Sequence, residues 1–247
     1  MRKIHIGTMG WSYKFWVEKL YSKGTNSSNY LTDYSEHFDT VEVDNTFYRI
    51  PAKETVIKWR DQTPPEFFFS AKFPQVITHV KMLKNCQMET DRFIEGISGF
   101  ENKLGPLLLQ FPSTFGDAHI DELNDYLSNL PDGYRFAVEA RNRKILTDKF
   151  YSVLRDNGVA LALVDSPFMP EISEITADFV YVRWEGDRRK VKGTLGKVEV
   201  DRTEDVKKWS EKIKLFTEDS NEVFGYFSKY YSGFPPADAK ELLSLLT

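Results

Sequence analysis

What most constrains the fold of this chain is an alternation. Short runs rich in Val, Leu and Phe recur eight times in 247 residues, separated by longer stretches with helical spacing. The runs are Lys3–Gly7, Thr40–Val43, Phe67–Ala71, Leu107–Phe111, Arg135–Glu139, Val159–Val164, Phe179–Arg183 and Val223–Phe227. Apolar runs this short suit parallel strands covered on both faces.

The intervening stretches predict helices over Asn29–His37, Lys53–Asp61, Glu89–Lys103, Ile120–Asn129, Thr147–Asn157, Glu204–Phe216 and Ala237–Leu246. Asn157-Gly158 is a helix stop, and Pro235-Pro236 suits a first helical turn. The connection from Asp165 to Asp178 contains proline and is expected to hold at most a short helix. Strands each followed by a crossover, at this length, predict a single α/β domain over residues 1–247, a TIM-type (β/α)8 barrel. An open doubly wound sheet would want Gly-x-Gly-x-x-Gly after the first strand, and none is present.

Composition narrows the function classes. Hydrophobic residues make up 41% and aromatics 15%, too many for a disordered tail. A net charge of -4 disfavours nucleic acid as a partner. With Cys86 alone there can be no intrachain disulfide and no cysteine-rich zinc site. No run of about 18 apolar residues exists to span a membrane, and the first residues lack the apolar run of a signal peptide. A cytoplasmic location is the expectation.

Polar residues on the inward face near a strand's C-terminal end point at the mouth of such a barrel. Alternation in Thr40–Asp44 sets Val41 and Val43 on one face, Glu42 and Asp44 on the other. In Arg135–Arg141 it sets Phe136 and Val138 outward, Glu139 and Arg141 inward. The remaining strands end in Lys72, Gln110, Asp165, Arg183 with Glu185, and Tyr226 followed by Ser228-Lys229. Carboxylates and cations therefore converge from several strands. They can pair in the lumen and only stabilise the barrel, or serve a ligand at the mouth. Polar ends on at least six strands, all at one end, favour a ligand site.

Of four histidines, only His79 follows a strand closely enough to reach the mouth; His5 is expected low in the lumen. No His-x-x-x-His spacing occurs, and no metal ligands or cofactor are assigned. Aromatics cluster after strand ends: Trp11, Tyr13 and Trp16, then Phe47-Tyr48, then Tyr230-Tyr231. They can close a pocket or simply pack the loops. The turn Ser232-Gly233-Phe234 before the last helix is a possible phosphate cradle, with a plain turn as the alternative. The basic run Asp187-Arg188-Arg189-Lys190 reads as a solvated loop.

Several of these segments together resemble one family. Gly7-Thr8-Met9-Gly10-Trp11-Ser12-Tyr13, Thr40 to Pro51, Phe69-Ser70-Ala71-Lys72-Phe73-Pro74, Ile77-Thr78-His79, Gly105 to Pro112, Val138-Glu139-Ala140-Arg141, Tyr181-Val182-Arg183 and Tyr226-Phe227 are similar to blocks of the domain of unknown function 72 family, also called YecE-like. The resemblance covers nearly the whole chain and implies a TIM-type barrel; it supplies no reaction. Glu42, Lys72, His79, Gln110, Glu139, Arg141 and Arg183 keep the family pattern. Asp44 stands where members commonly have asparagine, Trp184-Glu185-Gly186 where leucine, histidine and glycine are expected, and Ser228-Lys229 where an asparagine pair is usual. The mouth near strands seven and eight is thus expected to be specialised.

The resulting expectation is an acid/base enzyme, a hydrolase, lyase or isomerase, on a small anionic ligand such as a phosphorylated sugar or nucleotide-like group. Glu42 or Glu139 would be the base, with Lys72 and His79 as acid or electrophile. Arg141 and Arg183 would clamp the anion. Trp11, Asp44, Tyr48, Gln110, Asp165, Tyr226 and Lys229 complete the candidate ligand site. The alternatives are a nucleic-acid-processing or damage-binding protein, and a ligand-binding barrel without turnover.

Overall fold

The computed structural model describes residues 4–218 and 221–247. Its eight strands are β1 (Ile4–Met9), β2 (Thr40–Val43), β3 (Phe68–Lys72), β4 (Leu104–Gln110), β5 (Phe136–Glu139), β6 (Ala160–Asp165), β7 (Phe179–Trp184) and β8 (Glu222–Phe227). All pair in parallel and in chain order, and β8 pairs with β1, closing a TIM-type barrel. The outer layer holds α1 (Tyr30–Ser35), α2 (Lys53–Asp61), α3 (Gln87–Ile97), α4 (Ile120–Leu127), α5 (Asp148–Asp156), α6 (Thr203–Glu218) and α7 (Pro235–Leu246).

Local chemistry sets several boundaries. Thr147 caps α5, its hydroxyl oxygen accepting from the Phe150 amide at 3.3 Å. Gly158, at φ +63°, ends the same helix in the left-handed conformation that the Asn-Gly pair predicts. The segment after β6 carries no helix, so helices follow seven of the eight strands among the described residues.

Two strands run longer than their apolar runs suggest. The expected first strand stops at Gly7, with Lys3 outside the described residues; β1 continues to Met9. Strand β4 begins at Leu104, ahead of Gly105-Pro106. Proline lacks the N–H a ladder needs, and the register of β3 against β4 shifts there, between Phe69 and Ala71.

At Gly7 a side chain is impossible. A Cβ there would lie 2.1 Å from the Thr40 carbonyl oxygen and 2.8 Å from the Tyr34 hydroxyl. That hydroxyl donates to the Thr40 carbonyl at 3.0 Å and accepts from the Thr8 amide at 2.9 Å, fastening α1 to the β1–β2 seam.

The strands alternate as parallel strands covered on both faces must. Val41, Val43, Phe136, Val138, Leu161, Leu163 and Val182 face the helices. The lumen is filled from the bottom by His5, stacked on Phe224 at 4.9 Å and edge-on to Phe68. Above them Tyr226 gives its hydroxyl to a network with Thr40 Oγ1 at 2.8 Å and Ser70 Oγ at 2.6 Å. Tyr181 reaches upward and donates to Glu42 at 2.7 Å. The charged layer lies over this stack, at the C-terminal ends of the strands.

Candidate functional site

The C-terminal mouth opens into a cavity of about 720 Å³. Of the residues the sequence singles out, it brings together Asp44, Tyr48, Lys72, His79, Gln110, Arg141, Arg183 and Lys229. Five others lie elsewhere, and the reasons differ.

Glu42 and Glu139 sit beneath the floor, 0% and 1% exposed. Their common partner is Arg183, itself buried. Arg183 Nε donates to Glu42 Oε2 at 3.0 Å and Nη2 to Glu42 Oε1 at 2.8 Å. Its Nη1 donates to Glu139 Oε2 and to Glu185 Oε1. Glu139 Oε1 accepts from Arg141 Nε and from Gln110 Nε2, each at 2.8 Å. Arg141 Nη2 turns to Glu185 at 3.2 Å. Burial pushes the Glu42 carboxyl upward, and Asp44 adds to this against the pull of Arg183. Burial would raise Glu139 as well, but Arg183 and Arg141 outweigh it and hold the group well below the usual carboxylate range.

This network bears on two expectations. Glu42 and Glu139 have every oxygen engaged by donors of the floor; Glu42 lines neither cavity, while Glu139 borders a second cavity of about 360 Å³ together with Arg141 and Glu185. Arg183 and Arg141 both line the first cavity, but all three Arg183 nitrogens are occupied by carboxylates, whereas Arg141 spends Nε and Nη2 on Glu139 and Glu185 and keeps Nη1 without a partner among the described residues. Glu185 makes this closure possible, because its carboxylate meets both guanidinium groups.

Trp11, Asp165 and Tyr226 do not reach the mouth. Trp11 stands edge-on to Trp59 at 5.2 Å and lines a separate surface cavity with it. Ala160 and Ala162 face the lumen, so strict alternation turns Asp165 outward. There its carboxylate accepts from Trp209 Nε1 on α6 at 2.7 Å. Tyr226 faces inward but belongs to the layer below. The turn before α7 is no phosphate cradle either: the buried Asp238 carboxylate fills it, accepting from Ser232 Oγ at 2.5 Å.

The chemistry at the mouth therefore rests on groups that the floor does not neutralise. Lys72, at the end of β3, is 8% exposed. Its ammonium lies 4.2 Å from the centre of the Phe47 ring and makes no hydrogen bond or ion pair among the described residues. Burial lowers its pKa; Asp44 is the strongest opposing charge, and Arg183 adds to the lowering. Asp44 Oδ1 is buried without a hydrogen-bond partner, 3.7 Å from Arg183 Nη2. His79 sits in the turn after β3, its Nδ1 2.9 Å from Thr78 Oγ1. Burial and the nearby Lys72 and Arg141 push the imidazole pKa down, against Glu139.

Lys229 lies 5.1 Å from the Tyr230 ring and 5.7 Å from the Tyr13 ring. Arg188 joins the lining, with its guanidinium 5.4 Å from the Tyr230 ring. From the sequence alone Arg188 belongs to a solvated basic loop. The fold separates that run: Asp187 binds Arg189 through 2.9 Å contacts, while Arg188 turns to the mouth. Gly186 sets the turn at φ +66°, where a Cβ would lie 2.2 Å from the Tyr230 carbonyl oxygen. Met9, Phe47 and Gln75 also line the cavity without having been singled out as site residues. For Met9 the signal was alternation from His5, readable once β1 is extended past Gly7. Among the described residues, no group of three or more His, Cys, Asp or Glu side chains is arranged to hold a metal ion.

The chain matches the family model described as Protein of unknown function DUF72 over residues 5–247. It is 35% identical to the Escherichia coli protein YecE over 56% of this chain and 48% of that protein, so the match spans about half of that relative's length. With the Bacillus subtilis protein YunF it shares 26% identity over 98% of this chain and 94% of that one. The crystal structure of a DUF72 family protein from Thermotoga maritima superposes with a TM-score of 0.86 at 25% identity, covering 99% of both chains.

Proposed function

The chain belongs to the DUF72 family, and from that premise we propose that its barrel mouth binds a small, polar, anionic substrate and carries out acid/base chemistry on it. The observation that carries this reading is the Lys72 ammonium, buried beside an open cavity with no counter-ion of its own. A buried charge without a partner is costly to the fold, and a bound anion would relieve that cost. Lys229 and Arg188 extend the positive lining toward the rim, and neither makes an ion pair among the described residues. The His79 imidazole, at the cavity wall, can pass protons. Asp44 supplies the carboxylate for the base role, since its Oδ1 is left without a hydrogen bond while the oxygens of Glu42 and Glu139 are all engaged. Tyr48 and Tyr230 flank the entrance with rings that can stack on a sugar or base. Phosphorylated sugars fit this set of groups.

Thermal melts test the reading. Inorganic phosphate should raise the melting temperature above that in chloride of equal ionic strength, as a ligand of the folded state does. The Lys229→Ala, Arg188→Ala double variant should lose most of that rise, and Lys190→Ala, at an exposed position outside the cavity, should keep it. Equal responses in all three proteins would overturn the anion site.

A further inference from the structure

Two lysines in this fold are equally buried, and they are treated differently. Lys103, 8% exposed, gives its ammonium to the Arg60 carbonyl at 2.7 Å, the Thr63 carbonyl at 2.7 Å and the Thr63 hydroxyl at 3.1 Å. It is a satisfied structural cation. Lys72, also 8% exposed, has an aromatic face and an open cavity instead. Buried polar groups are ordinarily hydrogen-bonded, and one that is not calls for an explanation.

A lysine so placed gains little by holding its proton. The Phe47 ring gives the cation partial compensation, and Asp44, Glu139 and Glu42 favour it, but burial is the largest influence and, with the Arg183 guanidinium, shifts the balance toward the neutral amine. A neutral amine facing a pocket is a nucleophile toward carbonyl carbon.

We propose that Lys72 acts covalently, its amine condensing with the carbonyl group of a small anionic aldehyde or ketone held in the mouth to form an imine. This rests on the reading of the mouth as an anion-binding, proton-transferring site. The amine lone pair forms the new C–N bond as the carbonyl π pair moves to oxygen. Loss of the C–O bond then expels water. Of the three protons on the starting ammonium, two leave with that oxygen and one stays on the iminium nitrogen, so no other reactant is required. Asp44, with its buried unbonded oxygen, and His79, in the same cavity lining, are the groups at hand to carry those protons. The iminium then withdraws electrons from the neighbouring carbon, whose proton Asp44 would accept. Among the reaction classes open to the mouth, this favours isomerases and lyases of carbonyl compounds over hydrolases.

Pyridoxal 5′-phosphate is a suitable probe, being an aldehyde with a phosphate. The protein is incubated with it, reduced with borohydride and digested, and the labelled lysines are located by mass spectrometry. Lys72 should be labelled at least tenfold faster than the exposed Lys190. Phosphate-free pyridoxal should react more slowly at Lys72, inorganic phosphate should compete, and Lys72→Arg should carry no label there. The comparison with Lys190 is made within the wild-type protein, so it stands even if the variant folds poorly. Labelling of Lys72 no faster than of Lys190, with the phosphate-induced rise in melting temperature intact, would overturn the imine and leave the anion site standing. Loss of both signals would overturn the functional reading itself.

Discussion

Arg183 and Glu42 form a two-pronged ion pair inside the barrel, with Nε and Nη2 of the guanidinium reaching the two carboxylate oxygens at 3.0 and 2.8 Å. They lie 141 residues apart in the chain, on β2 and β7. The remaining guanidinium nitrogen is spent on Glu139 and Glu185. This layer separates the polar residues of the mouth into a saturated floor and the open groups above it.

The first expectation concerns the floor. Glu139→Gln removes a charge from between Arg183 and Arg141 at a buried site, which typically costs about 3–5 kcal/mol. Denaturant melts of the wild type and the variant measure it. A loss near zero would return Glu139 to the list of candidate bases.

The two buried lysines should respond in opposite ways. Lys103→Met strands two carbonyls and a hydroxyl, and should destabilise by about 1–3 kcal/mol. Lys72→Met removes a charge that no hydrogen bond or ion pair holds among the described residues, and should leave stability unchanged or raise it by up to about 1 kcal/mol. Urea denaturation of both variants is decisive: a large loss at Lys72→Met would mark it as a structural cation.

At the bottom of the barrel, His5 lies 2.9 Å from Asp39 and 3.1 Å from Glu222, and Glu222 also pairs with Arg135. Burial alone would lower the His5 pKa. Its bonds to the two carboxylates outweigh burial and push it up to about 9. A folded-state pKa above the unfolded value stabilises fully below about 6.5, and the gain fades as pH rises through 9. The stability difference between wild type and His5→Phe should therefore shrink steadily from pH 6.5 to 9.5. A difference that stays constant across that range would show that His5 acts through packing alone.

Tyr226→Phe and Asp165→Asn test the two residues that the fold keeps away from the mouth. Tyr226→Phe deletes the hydroxyl shared with Thr40 and Ser70, at a cost of about 1–3 kcal/mol. Asp165→Asn weakens the bond to Trp209. Both variants should bind phosphate as the wild type does, judged by the rise in melting temperature. Loss of that rise in a folded variant would place the residue back at the ligand.

The sequence carried the barrel because the strand runs, the helix stops and the order of elements are local signals. It carried much of the mouth because alternation along β2, β3, β5 and β7 could be read directly. It misplaced Asp165 because the inward face of β6 is built from Ala160 and Ala162, which show no contrast with their outward neighbours. It missed Met9 because β1 does not end at its first glycine. What each charge is used for was not legible. Whether Arg183 waits for a ligand or is consumed depends on which carboxylates β2 and β5 bring to it. The difference between Lys72 and Lys103 likewise lies wholly in the acceptors that the fold supplies.

The charged floor also bears on how the barrel assembles. Its members come from β2, β4, β5 and β7, so no two or three neighbouring strands can complete it. A half-formed sheet would hold a partly dehydrated guanidinium short of its carboxylates, an arrangement that favours reopening over persistence. Through Arg183 the two sides of the barrel therefore share one charge balance: parting β7 from either β2 or β5 leaves a buried ion short of a partner.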